Sequence, residues 1–128
     1  MPAESLMILI AGPYRSGTGD DPALMERNLR ALESVALPLY RAGHVPMIGE
    51  WIALPLLREA GSTRPGDAVY EEILYPIARR LLSRRDAVLR LPGASKGADD
   101  DVVLATKLGL RVFEKLADVP GCELCARQ

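Results

Sequence analysis

The sequence predicts one α/β domain: a parallel sheet of about four to five strands with helices on both faces. Three observations lead there. Strand-like and helix-like segments alternate from Leu6 to Phe113. The first of them, Leu6 to Ala11, is apolar at every position, as expected of a strand covered on both sides. Two glycine-bearing loops follow the first and third strands, and parallel sheets gather their ligands beyond the carboxyl ends of their strands.

The elements follow in order. After strand Leu6 to Ala11 comes a loop from Gly12 to Asp20, and Asp21-Pro22 reads as an N-cap with proline in the first turn. Met25, Leu29, Leu32, Val35, Ala36, Leu39 and Tyr40 recur at helical spacing. They predict one amphipathic helix, kinked by Pro38 and stopped at Gly43. Val45 to Ile48 is a short second strand, and Trp51 to Glu59 a short helix apolar enough for a buried or shared surface. Gly61 to Gly66 is a polar connector, expected to be mobile. Asp67 caps a helix with the apolar line Val69, Ile73, Ile77 and Leu81, bent at Pro76. Asp86 to Leu91 is the third strand, Pro92 to Gly97 the second loop, Ala98 to Leu108 a helix, and Leu110 to Phe113 the last strand. The domain is expected to occupy residues 1–117, with 118–128 as a loose tail.

Composition narrows the function. At 128 residues and 48% apolar content the chain is long and hydrophobic enough for one buried core. Sixteen Lys and Arg against 17 Asp and Glu give a net charge of −1, which argues against coating a nucleic-acid polymer. The apolar run at Leu6 is far too short to cross a bilayer, and no basic residue precedes it as in a secretory signal. The expectation is a cytoplasmic protein with no membrane partner. Cys122 and Cys125 lack a second ligand pair for zinc, and the lone histidine, His44, is distant in sequence. They read as an incidental tail feature, and no metal or cofactor is expected. His44 itself reads as a capping or packing residue. One Phe, one Trp and four Tyr are few aromatics for sandwiching an isoalloxazine ring, which argues against a flavin protein of this class.

The loops carry the chemistry. In the first, Gly12, Gly17 and Gly19 let backbone N–H groups approach a ligand, Ser16 and Thr18 add donors, and Arg15 adds a forked cation suited to phosphate. It is neither a Walker A loop nor a dinucleotide fingerprint, and its composition fits a flexible turn equally well. The second loop leads into Asp99, Asp100 and Asp101. Acidic residues favour the start of a helix in any protein. A carboxylate at a sheet's carboxyl edge is also a candidate nucleophile, or a stabiliser of developing positive charge. Trp51 is a candidate flat surface for a base, although a lone tryptophan is as a rule a packing residue, and the Arg79-Arg80 pair reads as a solvated face.

Taken in order, Ile8 to Tyr14 (ending Gly12-Pro13-Tyr14), Asp86 to Gly93 (ending Leu91-Pro92-Gly93) and Ser95-Lys96-Gly97-Ala98-Asp99, then Asp101-Val102, Ala105 and Gly109, resemble the nucleoside 2-deoxyribosyltransferase-like superfamily. The likeness is greatest to its small bacterial branch, a domain of unknown function, and spans Ile8 to Phe113. It implies a Rossmann-like, flavodoxin-like domain acting on the N-glycosidic bond of a nucleoside or nucleotide, as a hydrolase or a deoxyribosyltransferase. It places the nucleophile at Asp101 and the sugar-side tyrosine at Tyr14. The residues expected to hold substrate are Gly12, Pro13, Arg15, Ser16, Trp51, Ser95 and Gly97, with Arg15, Ser16 and Ser95 on a 5′-phosphate. Asp99, Glu71 and Glu72 are the candidates for the proton given to the leaving base. The resemblance also implies a homo-oligomer. Two positions depart from the pattern. Asp101 stands where relatives usually carry glutamate, and Ala78 where they carry an aspartate. Both departures favour the alternative reading of a nucleotide-binding module with little or no catalysis.

Overall fold

The computed structural model describes residues 5–123. Its sheet is four-stranded and wholly parallel, in the order β2-β1-β3-β4. The strands are β1 (Met7–Ala11), β2 (Val45–Ile48), β3 (Ala87–Arg90) and β4 (Arg111–Phe113). The helices are α1 (Pro22–Glu33), α2 (Ala36–Arg41), α3 (Gly49–Glu59), α4 (Ala68–Leu82) and α5 (Lys96–Lys107), and a 3-10 turn covers Leu116–Asp118. Helices cover both faces, so the domain is Rossmann-like and flavodoxin-like.

The apolar β1 divides its side chains by alternation. Ile8 and Ile10 join Leu32, Leu39, Ile48, Leu89 and Phe113 on one face. Leu9 and Ala11 join Leu82, Val88, Ala98 and Ala105 on the other. A third cluster, Ala53 and Leu57 with Tyr70 and Leu74, binds α3 to α4. The apolar side of the 51–59 segment is therefore buried within its own chain. Pro46, opposite Ile8, sits on an edge strand, where a missing N–H is tolerated.

Three expectations change. The helix over residues 25–40 is two helices. Pro38 cannot donate to the carbonyl four residues back, at Ser34, and its ring crowds that carbonyl. The chain breaks at Ser34 and Val35, leaving Pro38 in the first turn of α2, where no N–H is required. The 61–66 connector is tied to Asp67. Its carboxylate accepts from Tyr70 N at 2.8 Å, Thr63 N at 2.9 Å and Ser62 Oγ at 3.0 Å, and these bonds lower its pKa to about 2. The expected tail is part of the core as far as it is described: Val119 and Cys122 are fully buried against the β1 face that α1 and α2 cover. Hydrophobic burial holds these residues on the domain. Cys125 lies outside the described residues.

The sheet order makes β1 and β3 neighbours. The loops after them touch: Leu91 N donates to Ala11 O at 2.8 Å. Gly93 has φ +116, and a Cβ there would stand 2.7 Å from Pro13 Cγ. Only glycine fits both that conformation and that approach.

Candidate functional site

The two loops frame a hollow of about 420 Å³ at the carboxyl edge of the sheet, a volume within the range of small-molecule sites. β1 contributes Gly12, Tyr14, Arg15 and Ser16 through its loop. The start of α5 contributes Ser95, Lys96, Gly97 and Asp101. α3 adds Glu50, and α4 closes the side with Glu71, Tyr75, Ala78 and Arg79. Tyr14 and Asp101 thus face one space.

Each loop residue is held for a local reason. Asn28 Nδ2 donates to Tyr14 O at 2.9 Å, anchoring the loop to α1. Arg15 forks onto Asp20, Nε to Oδ1 at 2.6 Å and a terminal nitrogen to Oδ2 at 3.2 Å. Its other terminal nitrogen lies 3.5 Å from the Tyr75 hydroxyl and 4.0 Å from Glu71, and its guanidinium stacks over the Tyr70 ring at 5.5 Å. The fork expected for a phosphate is engaged within the protein. Ser95 is buried and caps α5, its Oγ accepting from Ala98 N at 3.1 Å.

The helix starts at Lys96, so Asp101 lies in its second turn. The dipole argument for acidic helix starts therefore applies to Asp99 and not to Asp101. Two residues apart on a helix means about 200° of rotation. Asp101 turns into the hollow, and Asp99 turns away to pair with Arg90 at 2.9 Å. Asp99 is therefore not a residue of the hollow.

Two further expected residues lie elsewhere. Pro13 packs beneath Gly93 and acts as a spacer between the loops. Trp51 points out of α3, donating from Nε1 to Glu33 Oε2 on α1 at 2.8 Å. One helical step separates it from Glu50, which takes the inward position. Of the α4 acids, Glu71 lines the hollow and Glu72 does not.

The residue that sequence reasoning missed is Glu50. It opens α3 directly after β2, and β2 is the other neighbour of β1. A polar residue just past the end of any strand beside β1 was the available signal. Arg79 was missed too. It was assigned to a solvated face, yet it lines the hollow.

Electrostatics single out the two inner carboxyls. Burial pushes Asp101 up to about 7, reinforced by the charges of Glu50 and Asp100 and opposed by Arg79 and Arg90. Burial also raises Glu50, against a bond from its own backbone N–H. Two carboxyls in one poorly solvated space resist ionising together and share a proton near neutrality. Burial and the charge of Glu50 raise Tyr14 as well, so its hydroxyl stays a donor. Among the described residues no group of three or more His, Cys, Asp or Glu is placed to hold a metal ion. Nor is any helix long and apolar enough to cross a membrane.

No protein-family model matches this chain, and no curated protein matches it.

Proposed function

We propose that the protein cleaves or exchanges the N-glycosidic bond of a nucleoside or nucleotide, with Asp101 as nucleophile at the sugar C1′. The observation that carries this reading is the convergence of Tyr14 and Asp101 on one hollow beside a second raised carboxyl. Glycosidic cleavage develops positive charge on the sugar ring, and a carboxylate beneath C1′ stabilises it or bonds to it, as in retaining glycosidases. The Tyr14 hydroxyl orients that carboxylate or the sugar. Arg79, for which no ion pair is formed among the described residues, and the Ser16 hydroxyl are the groups free to meet a 5′-phosphate at the rim. The resemblance to the deoxyribosyltransferase-like superfamily supports the same reading, and with it a homo-oligomer.

Incubating the pure protein with deoxynucleosides and their monophosphates is expected to release free base. Release no greater than that of an Asp101→Ala control, across the common bases, defeats the proposal. One observation favours a second reading, a binding module without turnover: Ala78 lines the hollow where an acid is expected. That version predicts a nucleotide-induced rise in melting temperature with no base released.

A further inference from the structure

A smaller side pocket of about 40 Å³ opens beside the main hollow. Apolar side chains line much of it: Leu9, Ile10 and Ala11 of β1, and Leu74, Ile77 and Ala78 of α4. Among the described residues the only ionisable side chains that reach it are Glu50 and Asp101, and both also line the main hollow. A water needs roughly 10–15 Å³ of such space and two or more polar partners. The pocket offers both, and the small side chain of Ala78 contributes to the room.

We infer that Glu50 is the acid and base of this site, protonating the departing base and then accepting a proton from a water seated between it and Asp101. The inference rests on the N-glycosidic reading above and assigns the proton-handling role that Ala78 leaves open. The rival acids do not reach this side pocket, and Asp100 is paired with Lys96. Asp99 is paired with Arg90 outside the hollow, and Glu71 is an exposed rim residue beside Arg15. α3 brings Glu50 in from the β2 side and α5 brings Asp101 from the β3 side, so the two carboxyls flank the end of β1. The positive charges of Arg79 and Arg90 act on Asp101, whereas no cation contributes at Glu50. The pair shares one proton, and in the reactive form Glu50 carries it and Asp101 carries the charge.

The two steps balance. In the first, an Asp101 oxygen bonds to C1′ while the C1′–N bond breaks. Its electron pair stays on the base nitrogen system, which receives the Glu50 proton. In the second, the water oxygen bonds to C1′ and the C1′–Asp101 ester bond breaks with its pair returning to the carboxylate. The water proton restores Glu50. A water held at this position favours hydrolysis over transfer to a second base.

The test compares two leaving groups. Glu50→Gln is expected to slow release of a purine or pyrimidine base by about 100-fold or more. With 4-nitrophenyl 2-deoxyriboside, whose leaving group needs no proton, the first equivalent of nitrophenolate should appear at close to the wild-type rate and turnover should then stall. Glu50→Asp, which keeps an acid in place, should retain at least about tenfold more base release than Glu50→Gln. Equal losses on both leaving groups, or equal activity of the two variants, overturn the assignment of Glu50. A wild-type protein that frees no base from any deoxynucleoside defeats the underlying reading before any variant is made.

Discussion

The two ends of β2 hold buried polar groups of opposite character. At its amino end His44 is 1% exposed and fully engaged. Its Nδ1 accepts from Leu6 N at 3.0 Å and its Nε2 donates to Pro120 O at 2.6 Å. Nearby, Asp86 accepts from Met7 N at 2.8 Å. At the carboxyl end Glu50 and Asp101 are half-buried, and among the described residues no other residue hydrogen-bonds either carboxyl. A buried polar group with every bond made holds the fold together. One left without partners destabilises it, and persists where a ligand supplies what the protein does not. His44 thus serves the fold, and the Glu50–Asp101 end of the sheet is left open to chemistry.

Substitutions at the two ends should separate accordingly. The largest effect is expected from Asp101→Asn on base release: a loss of about 1,000-fold or more, about 4 kcal/mol of barrier, without loss of fold. Steady-state rates and circular dichroism together check it. His44→Ala should do the reverse. It strands the Leu6 N–H and the Pro120 carbonyl in the core, which costs about 3 kcal/mol and lowers the melting temperature by roughly 10 °C. Residual activity measured below that temperature should be close to wild type. If the variant melts like the wild type, the contrast between the two edges fails.

The pH dependence sharpens the comparison. The Asp101 carboxyl moves from 3.8 to about 7 on folding. Between those values the folded state holds a proton that the unfolded chain releases, so stability falls as pH rises from about 4 to about 7 and stays reduced above. Asp101→Asn removes that cost. It should stabilise the protein by about 2 kcal/mol at pH 8 and change little at pH 4. Equal shifts at both pH values would contradict the placement of Asp101. The smallest effect is expected at Trp51. Its exposed bond to Glu33 is worth about 1 kcal/mol or less, so Trp51→Phe should leave melting and apparent KM nearly unchanged. A several-fold rise in KM would return Trp51 to the hollow.

Much of the fold was legible along the chain. The unbroken apolar run at β1 and the glycines after β1 and β3 are local patterns, and each produced its element; the helical spacing before Gly43 gave helix, but as two helices and not the one expected. The meeting of the two loops was legible because each lies at the carboxyl end of a strand; Tyr14 in the first and Asp101 just beyond the second were singled out by the family resemblance. Glu50 was not, because a single acid between Gly49 and Trp51 has no pattern of its own. Asp99 and Trp51 were misplaced because neighbours on a helix point in different directions, and composition does not say which one faces inward.

By itself, then, the sequence determined the alternation of strands and helices, the burial of β1 on both faces and the position of both loops. These depend on residues a few places apart, whose spacing selects backbone conformation directly. Tertiary structure alone decided that β2 flanks β1, that α3 turns Glu50 inward beside Asp101, and that Val119 and Cys122 close the core. Those outcomes depend on strand order and on the rotation of each packed helix, which are settled by contacts between segments far apart in the chain.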